Sequence, residues 1–194
     1  MSTKSSVFIA TSLDGYIART DGNIDWLDRA NGSVPKGEDC GYNDFIKSVD
    51  VLIMGRKTFE KVLSFDEWPY HAKSVVVLSR GQIHIPISIS GSTSISSEHP
   101  RVLVERLAKD GAKHLYIDGG LVIQSFLREG LIDEITIALI PVLLGSGKPL
   151  FGTLDKDIEL THVVTKAYDF GFVQNKYRIE KTLNPLALAD TISS

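Results

Sequence analysis

Apolar runs of strand length, alternating with segments of helical periodicity, predict an α/β fold: a largely parallel sheet with a final antiparallel part. Three observations carry this. VLIM (51–54) and the apolar part of SVVVLSR (74–80) lack polar alternation, so they read as strands buried on both faces. PRVLVERLAKDG (100–111) and LVIQSFLREG (121–130) repeat apolar residues at helical spacing and end at glycine. Beyond residue 131 the chain turns strand-rich.

The elements follow in order. VFIATSLDGYIA (7–18) begins as an apolar strand and turns at Asp14-Gly15. Residues 19–41, rich in Gly, Asp and Asn, read as a long loop, and loops of that length in compact domains usually carry function. YNDFIKSV (42–49) suits a short helix, and KTFEKVL continues as a helix after the strand at 51–54. Residues 81–97, with Pro86, read as loop or short weak strands. In 100–111 the expected buried face is Val102, Leu103, Leu107 and Ala108. HLYIDGG (114–120) is a strand ending in paired glycines. DEITIALIPVLL and FVQNKYRIEKT read as late strands. The expected organisation is one domain over 1–182, with 183–194 a loose tail.

Composition excludes several classes. A net charge of -3 argues against a general nucleic-acid binder. There is no long uncharged apolar run, so no membrane partner is expected. The N-terminus lacks the apolar core of a secretory signal, and Cys40 is the only cysteine; a reducing cytoplasm is the natural compartment. The five histidines show no metal-ligand spacing, so no metal is expected.

Three strands end in similar chemistry. One gives Gly55-Arg56-Lys57-Thr58, the second Ser79-Arg80, and the third Gly119-Gly120 opening a helix. Ligands of open α/β sheets bind beyond the carboxyl ends of the strands. Paired glycines before a helix present backbone N–H groups to a phosphate, and Arg56 with Arg80 can fork onto a second one. Two phosphate-binding regions suit NADPH. GSGKPLFG (145–152) is no phosphate-binding loop, because Val142 stands where glycine is required and Pro149 follows Lys148. No G-x-G-x-x-G follows a strand, which argues against a standard Rossmann domain.

SLDGYIA, VLIMGRKTFE, VVLSR, YIDGG and LVIQSFLREGLIDEITIALIPVLLGSGKPLF, in this order, resemble the dihydrofolate reductase-like superfamily. The closest likeness is to the C-terminal reductase domain of the riboflavin-biosynthesis protein RibD and its stand-alone bacterial relatives. The resemblance covers roughly residues 5–181. It implies a three-layer fold around a mostly parallel sheet, NADPH as cofactor, and hydride transfer to a pyrimidine- or pterin-like heterocycle. The nearest activity is 5-amino-6-(5-phosphoribosylamino)uracil reductase. Dihydrofolate reductase is the alternative, and a non-catalytic nucleotide-binding protein is an alternative of another class.

By the same likeness, Ala10 and Ile17 hold the nicotinamide carboxamide, and Gly55, Arg56, Lys57 and Thr58 take the pyrophosphate and 2′-phosphate segment. Leu78, Ser79 and Arg80 take the adenosine end, and Gly119, Gly120, Leu121, Val122 and Ile123 form the diphosphate loop and helix start. Trp26 resembles the tryptophan of the mobile active-site loop and Thr136 the threonine on the pocket floor; with Phe45 they are the expected substrate contacts. Asp14, Asp118 and Trp26 are the catalytic candidates, the two acids lying nearest the inferred nicotinamide end. The chain departs from its relatives on the substrate side. Gly41 stands where dihydrofolate reductases carry an acid on the first helix, with Asp39 and Asp44 out of register. Tyr16 follows Asp-Gly, Asp25 precedes the tryptophan, and Asp118 replaces a glutamate. The likeness, together with the length of DEITIALIPVLLG, implies a homodimer to which this late strand lends an edge or a face.

Overall fold

The computed structural model describes residues 3–180. In chain order the elements are β1 (Lys4–Ser12), β2 (Tyr16–Ala18), α1 (Asp25–Asn31), α2 (Tyr42–Ser48), β3 (Val51–Gly55), α3 (Arg56–Val62) and β4 (Ser74–Leu78). After a 3-10 turn at Ile87–Ile89 come β5 (Thr93–Ser96), α4 (Pro100–Lys109), β6 (His114–Asp118), α5 (Gly120–Arg128), β7 (Glu134–Ile140), β8 (Lys148–Pro149), β9 (Leu160–Ala167) and β10 (Val173–Ile179).

Eight strands form one sheet in the order β5-β4-β3-β6-β1-β7-β10-β9. The six from β5 to β7 run parallel, and β10 is antiparallel to both β7 and β9. Strands β2 and β8 make a small separate pair. Leu52, Ile53 and Met54 have no exposed surface, because β3 is covered on both faces. On one face Val51, Ile53, Leu115 and Ile117 pack with Leu103 and Leu107 of α4 and Ile123 and Phe126 of α5. On the other, Leu52, Met54 and Tyr116 pack with Phe59 and Val62 of α3 and with Phe8, Tyr42 and Phe45. That second face carries a separate apolar cluster around Trp26, Ala138, Ile140, Tyr168 and Phe172, with Ala10 packed against it. Strand β1 thus runs between two clusters, with Phe8 in one and Ala10 in the other.

Several expectations are corrected. The segment 19–41 is not loop throughout, since α1 lies within it and buries Trp26. The buried residues of α4 are Leu103 and Leu107, with Val104 half-buried beside them; Val102 and Ala108 are exposed, because a four-residue stride leaves them off the core-facing side. Strand β7 lends no edge, being paired on both sides by β1 and β10. Among the described residues the sheet instead ends at β9, an element the apolar pattern does not announce, because nearly all its residues are exposed. The expected tail, 183–194, lies outside the described residues.

Candidate active site

The sheet opens at its centre. Pairing of β1 with β6 covers only Lys4–Ser6 against His114–Tyr116, whereas pairing of β1 with β7 continues to Ser12. Beyond the last β1–β6 pair, the Tyr116 hydroxyl donates to the Phe8 carbonyl at 2.8 Å. Backbone groups of a strand alternate sides, so the Ala10 amide and carbonyl face the same gap. A gap between parallel strands at their carboxyl ends is where α/β sheets admit ligands.

Close backbone approach builds the wall beside this gap. Gly119 has φ 88°, and a Cβ there would overlap Thr58 Oγ1 and lie 3.8 Å from the Gly55 nitrogen. A Cβ on Gly55 would come within 3.2 Å of Val122 Cγ2, and one on Gly120 within 2.9 Å of Ile17 Cδ1. The structure therefore brings Ile17, Gly55, Thr58, Gly119, Gly120 and Val122 together. Helix α5 opens without a side-chain cap, so the amides of its first turn are open to an anion, and Leu121 there is exposed. Ile123 is already committed: its N–H donates to the Gly119 carbonyl at 2.9 Å and its side chain is fully buried, so it seats the helix.

Gly55 pairs with Leu78, which sets the loops after β3 and β4 side by side. A Cβ on Gly81 would lie 3.7 Å from Arg56 Nη1. Ser79 Oγ accepts the Gly81 N–H at 3.1 Å and so folds the second loop back, with Arg80 exposed beside it. Arg56 and Lys57 both hold Glu60, at 2.7 and 3.1 Å.

The candidate acids differ in state. Asp118 is partly buried, and desolvation pushes its carboxyl up to about 6, against the lowering effect of the Gly119 N–H it accepts at 2.8 Å. Its charge helps raise the hydroxyls of Tyr42, Tyr70 and Tyr116, all raised first by burial, Tyr42 to about 12. Asp14 is the opposite case. It accepts the Ser12 hydroxyl at 2.6 Å and the Gly145 and Leu144 amides at 2.7 and 3.1 Å, which hold it below the usual carboxylate range. That geometry suits a tie between the turn after β1 and the loop after β7, not a proton donor. Trp26 is buried against β7, and its Nε1 has no hydrogen-bond partner among the described residues. Asp25 beside it is held by Arg19 at 2.5 Å.

A cavity of about 290 Å³ lies under α2 on the same face. Phe45 and Thr136 line it with Phe8, Cys40, Gly41 and Gln174; Trp26 does not. Phe8 and Phe45 stack at 5.0 Å, so Phe8 borders the cavity with its ring and the gap with its carbonyl. No acid of α2 enters. Asp39 accepts the Gly41 and Asn43 amides and caps the helix, and the Asp44 side chain is 92% exposed. The cavity's polar end is Lys4, Glu134, Lys176 and His114. His114 sits between Ser6 Oγ at 2.8 Å and the Ser48 carbonyl at 3.1 Å, and burial holds it below its ordinary value. Sequence reasoning missed Phe8, Tyr42, Tyr70 and Glu134; only Glu134 left a signal, two residues before Thr136 and so on the same face of β7. A larger open groove of about 600 Å³, lined by Asp50, Ser74, Arg106 and Asp110, lies at the amino ends of β3 and β4.

A mostly parallel sheet opened at its centre, with glycine-walled strand ends, is a dihydrofolate reductase-like fold. The chain belongs to the RibD C-terminal domain family, whose model matches residues 4–173. It is 38% identical over 172 residues to the uncharacterised protein YwjB of Bacillus subtilis (strain 168), covering 87% of this chain and 94% of that one. Among solved structures, a protein of Shewanella sp. PV-4 provisionally named for riboflavin biosynthesis is 39% identical, with a TM-score of 0.86, over 92% of this chain and all of that one. The dihydrofolate reductase of Enterococcus faecalis, solved with NADP(H), shares the fold at 14% identity and a TM-score of 0.61, over 92% of this chain and 97% of that one.

Proposed function

We propose that the chain is an NADPH-dependent oxidoreductase that reduces a pyrimidine- or pterin-like heterocycle, in the manner of 5-amino-6-(5-phosphoribosylamino)uracil reductase. The observation that carries this reading is the gap between β1 and β6, walled by Gly55 and Gly119 on one side and bordered by Phe8, which also lines the cavity under α2. The residues fit the cofactor. The first-turn amides of α5 suit the diphosphate, Arg56 and Arg80 suit the 2′-phosphate, and the Ala10 and Ile17 backbone suits the carboxamide. When bound, the nicotinamide supplies the hydride, so the chain need only orient, exclude water and provide a proton. Asp118, neutral below about pH 6, holds a proton at the carboxyl end of β6, next to the gap. Phe45 and Thr136, which line the cavity, hold the ring, and Trp26 packs with Ala138 in the neighbouring apolar cluster.

The reading extends to a homodimer through the exposed β9 end of the sheet and to a cytoplasmic setting, for which the lone Cys40 is suited. The test is loss of absorbance at the nicotinamide band with a panel of pyrimidines and pterins. Oxidation of NADPH by a uracil-type ring is the expected result. NADPH binding without turnover of any heterocycle favours a nucleotide-binding protein, and no NADPH binding overturns the reading.

A further inference from the structure

The cavity under α2 lacks the helix-borne acid of dihydrofolate reductases, yet it is not without a carboxylate. Glu134 lines it from β7, with Thr136 two residues on along the same face. Lys4 of β1 and Lys176 of β10, the strands on either side, both line the cavity as well. Both ammonium groups bind the same carboxylate oxygen, Glu134 Oε2, at 2.7 and 2.8 Å. Neither lysine makes this short contact through Oε1.

The result is a mixed edge. Oε1 is the acceptor these contacts leave, and each lysine keeps N–H donors beyond the one that Oε2 uses. A carboxylate with both oxygens open takes an amidine edge, which presents two donors side by side. With one oxygen occupied by two cations, the remaining set is one acceptor beside donors. Its complement is a lactam edge, a ring N–H next to a ring carbonyl. An amidine that takes up a proton would also meet two ammonium groups and only one carboxylate.

We propose that Glu134, clamped by Lys4 and Lys176, is the specificity-determining group of the cavity and reads the lactam edge of the ring. The proposal rests on the reductase reading for its biological sense, but its test does not need turnover.

Binding of 5,6-diaminouracil, which has a lactam edge, and of 2,4-diaminopyrimidine, which has an amidine edge, is measured by calorimetry on the full chain. The wild type is expected to prefer the uracil by roughly tenfold or more, the worth of one charge-assisted hydrogen bond. Glu134→Met should bring the two affinities within about threefold of each other, since it removes the acceptor and with it the group that holds the two lysines. The double variant Lys4→Met/Lys176→Met, which removes both cations from Oε2, should shift the preference toward the diaminopyrimidine, and it decides the matter if the Glu134 variant fails to fold. Equal binding of the two rings by the wild type, no binding of the uracil, or a preference unchanged in the variants overturns the proposal. NADPH affinity, read on the same samples, should be the same in all three proteins. Its absence throughout counts against the reductase reading and leaves the ring preference to be judged by itself.

Discussion

Asp118 is a carboxyl group whose surroundings favour its neutral form, and this has consequences for pH. Between the ordinary value of 3.8 and about 6, the folded chain holds a proton that the unfolded chain releases. The unfolded state then binds fewer protons, so stability falls as pH rises through that window. Asp118→Asn keeps an acceptor for the Gly119 N–H and removes the titration. Denaturation from about pH 4 to about pH 7 should show the decline in the wild type and its loss in the variant. If Asp118 donates the proton, turnover should also fall above about pH 6, and the variant should be slower by about 10²–10⁴-fold with a flatter profile. Arg80 is the second residue with a sharp expectation. It is exposed beside Ser79, and Arg56 approaches the same loop. Arg80→Ala should weaken NADPH binding by about 1.5–3 kcal/mol while leaving NADH nearly unchanged. Equal wild-type affinities for the two cofactors would remove the basis for that assignment.

At the scale of elements, the meeting of α3 and α5 depends on glycine at position 119. Its φ of 88° is costly for other residues, and an added Cβ would overlap Thr58. Gly119→Ala should cost about 1–3 kcal/mol or more, read as a shift in the urea midpoint, and weaken NADPH binding as the wall is pushed open. Adding Thr58→Ala should recover only part of the stability, because the overlap is relieved but the backbone cost stays. Helix α2 carries a different expectation. Its nearest acids are spent on capping, at Asp39, or turned to solvent, at Asp44. Dihydrofolate should therefore turn over far below the roughly 10 per second typical of enzymes on their own substrates. Steady-state assays decide this, and turnover near that figure with a micromolar Michaelis constant would place the acid within reach after all.

Among the described residues the sheet ends on one side in β9, whose outer edge is unpaired there and whose Val163 and Val164 are exposed, a surface that isolated chains usually protect. A second copy of the chain is the expected cover. Light scattering should report about twice the 21.3 kDa chain mass, and Val163→Lys should shift it toward the monomer. A particle of the single-chain mass at micromolar concentration argues directly against this arrangement.

Much of this fold is legible locally because its strands are short runs that announce themselves. VLIM and SVVVL are apolar on both faces, and Gly119-Gly120 and Arg56 stand where strands stop. The parallel order of the sheet and the family follow from that alternation and from the order of the motifs. Strand β9 escaped, because an exposed strand has no burial pattern to read, and α1 escaped within a stretch rich in Gly, Asp and Asn. Tertiary structure alone decided which strand ends are neighbours, that β1 and β6 part after Ser6, and that Trp26 is buried rather than free. It also decided the state of the acids. Asp14 and Asp118 look alike in sequence, but one is held ionised by three donors and the other is kept neutral to about pH 6 by lost solvent. Glu134 gained its meaning only when Lys4 and Lys176, from opposite ends of the chain, closed on one of its oxygens. Strand and helix formation depend on near neighbours along the chain, whereas solvation and charge depend on neighbours in space, and those exist only once the sheet is assembled.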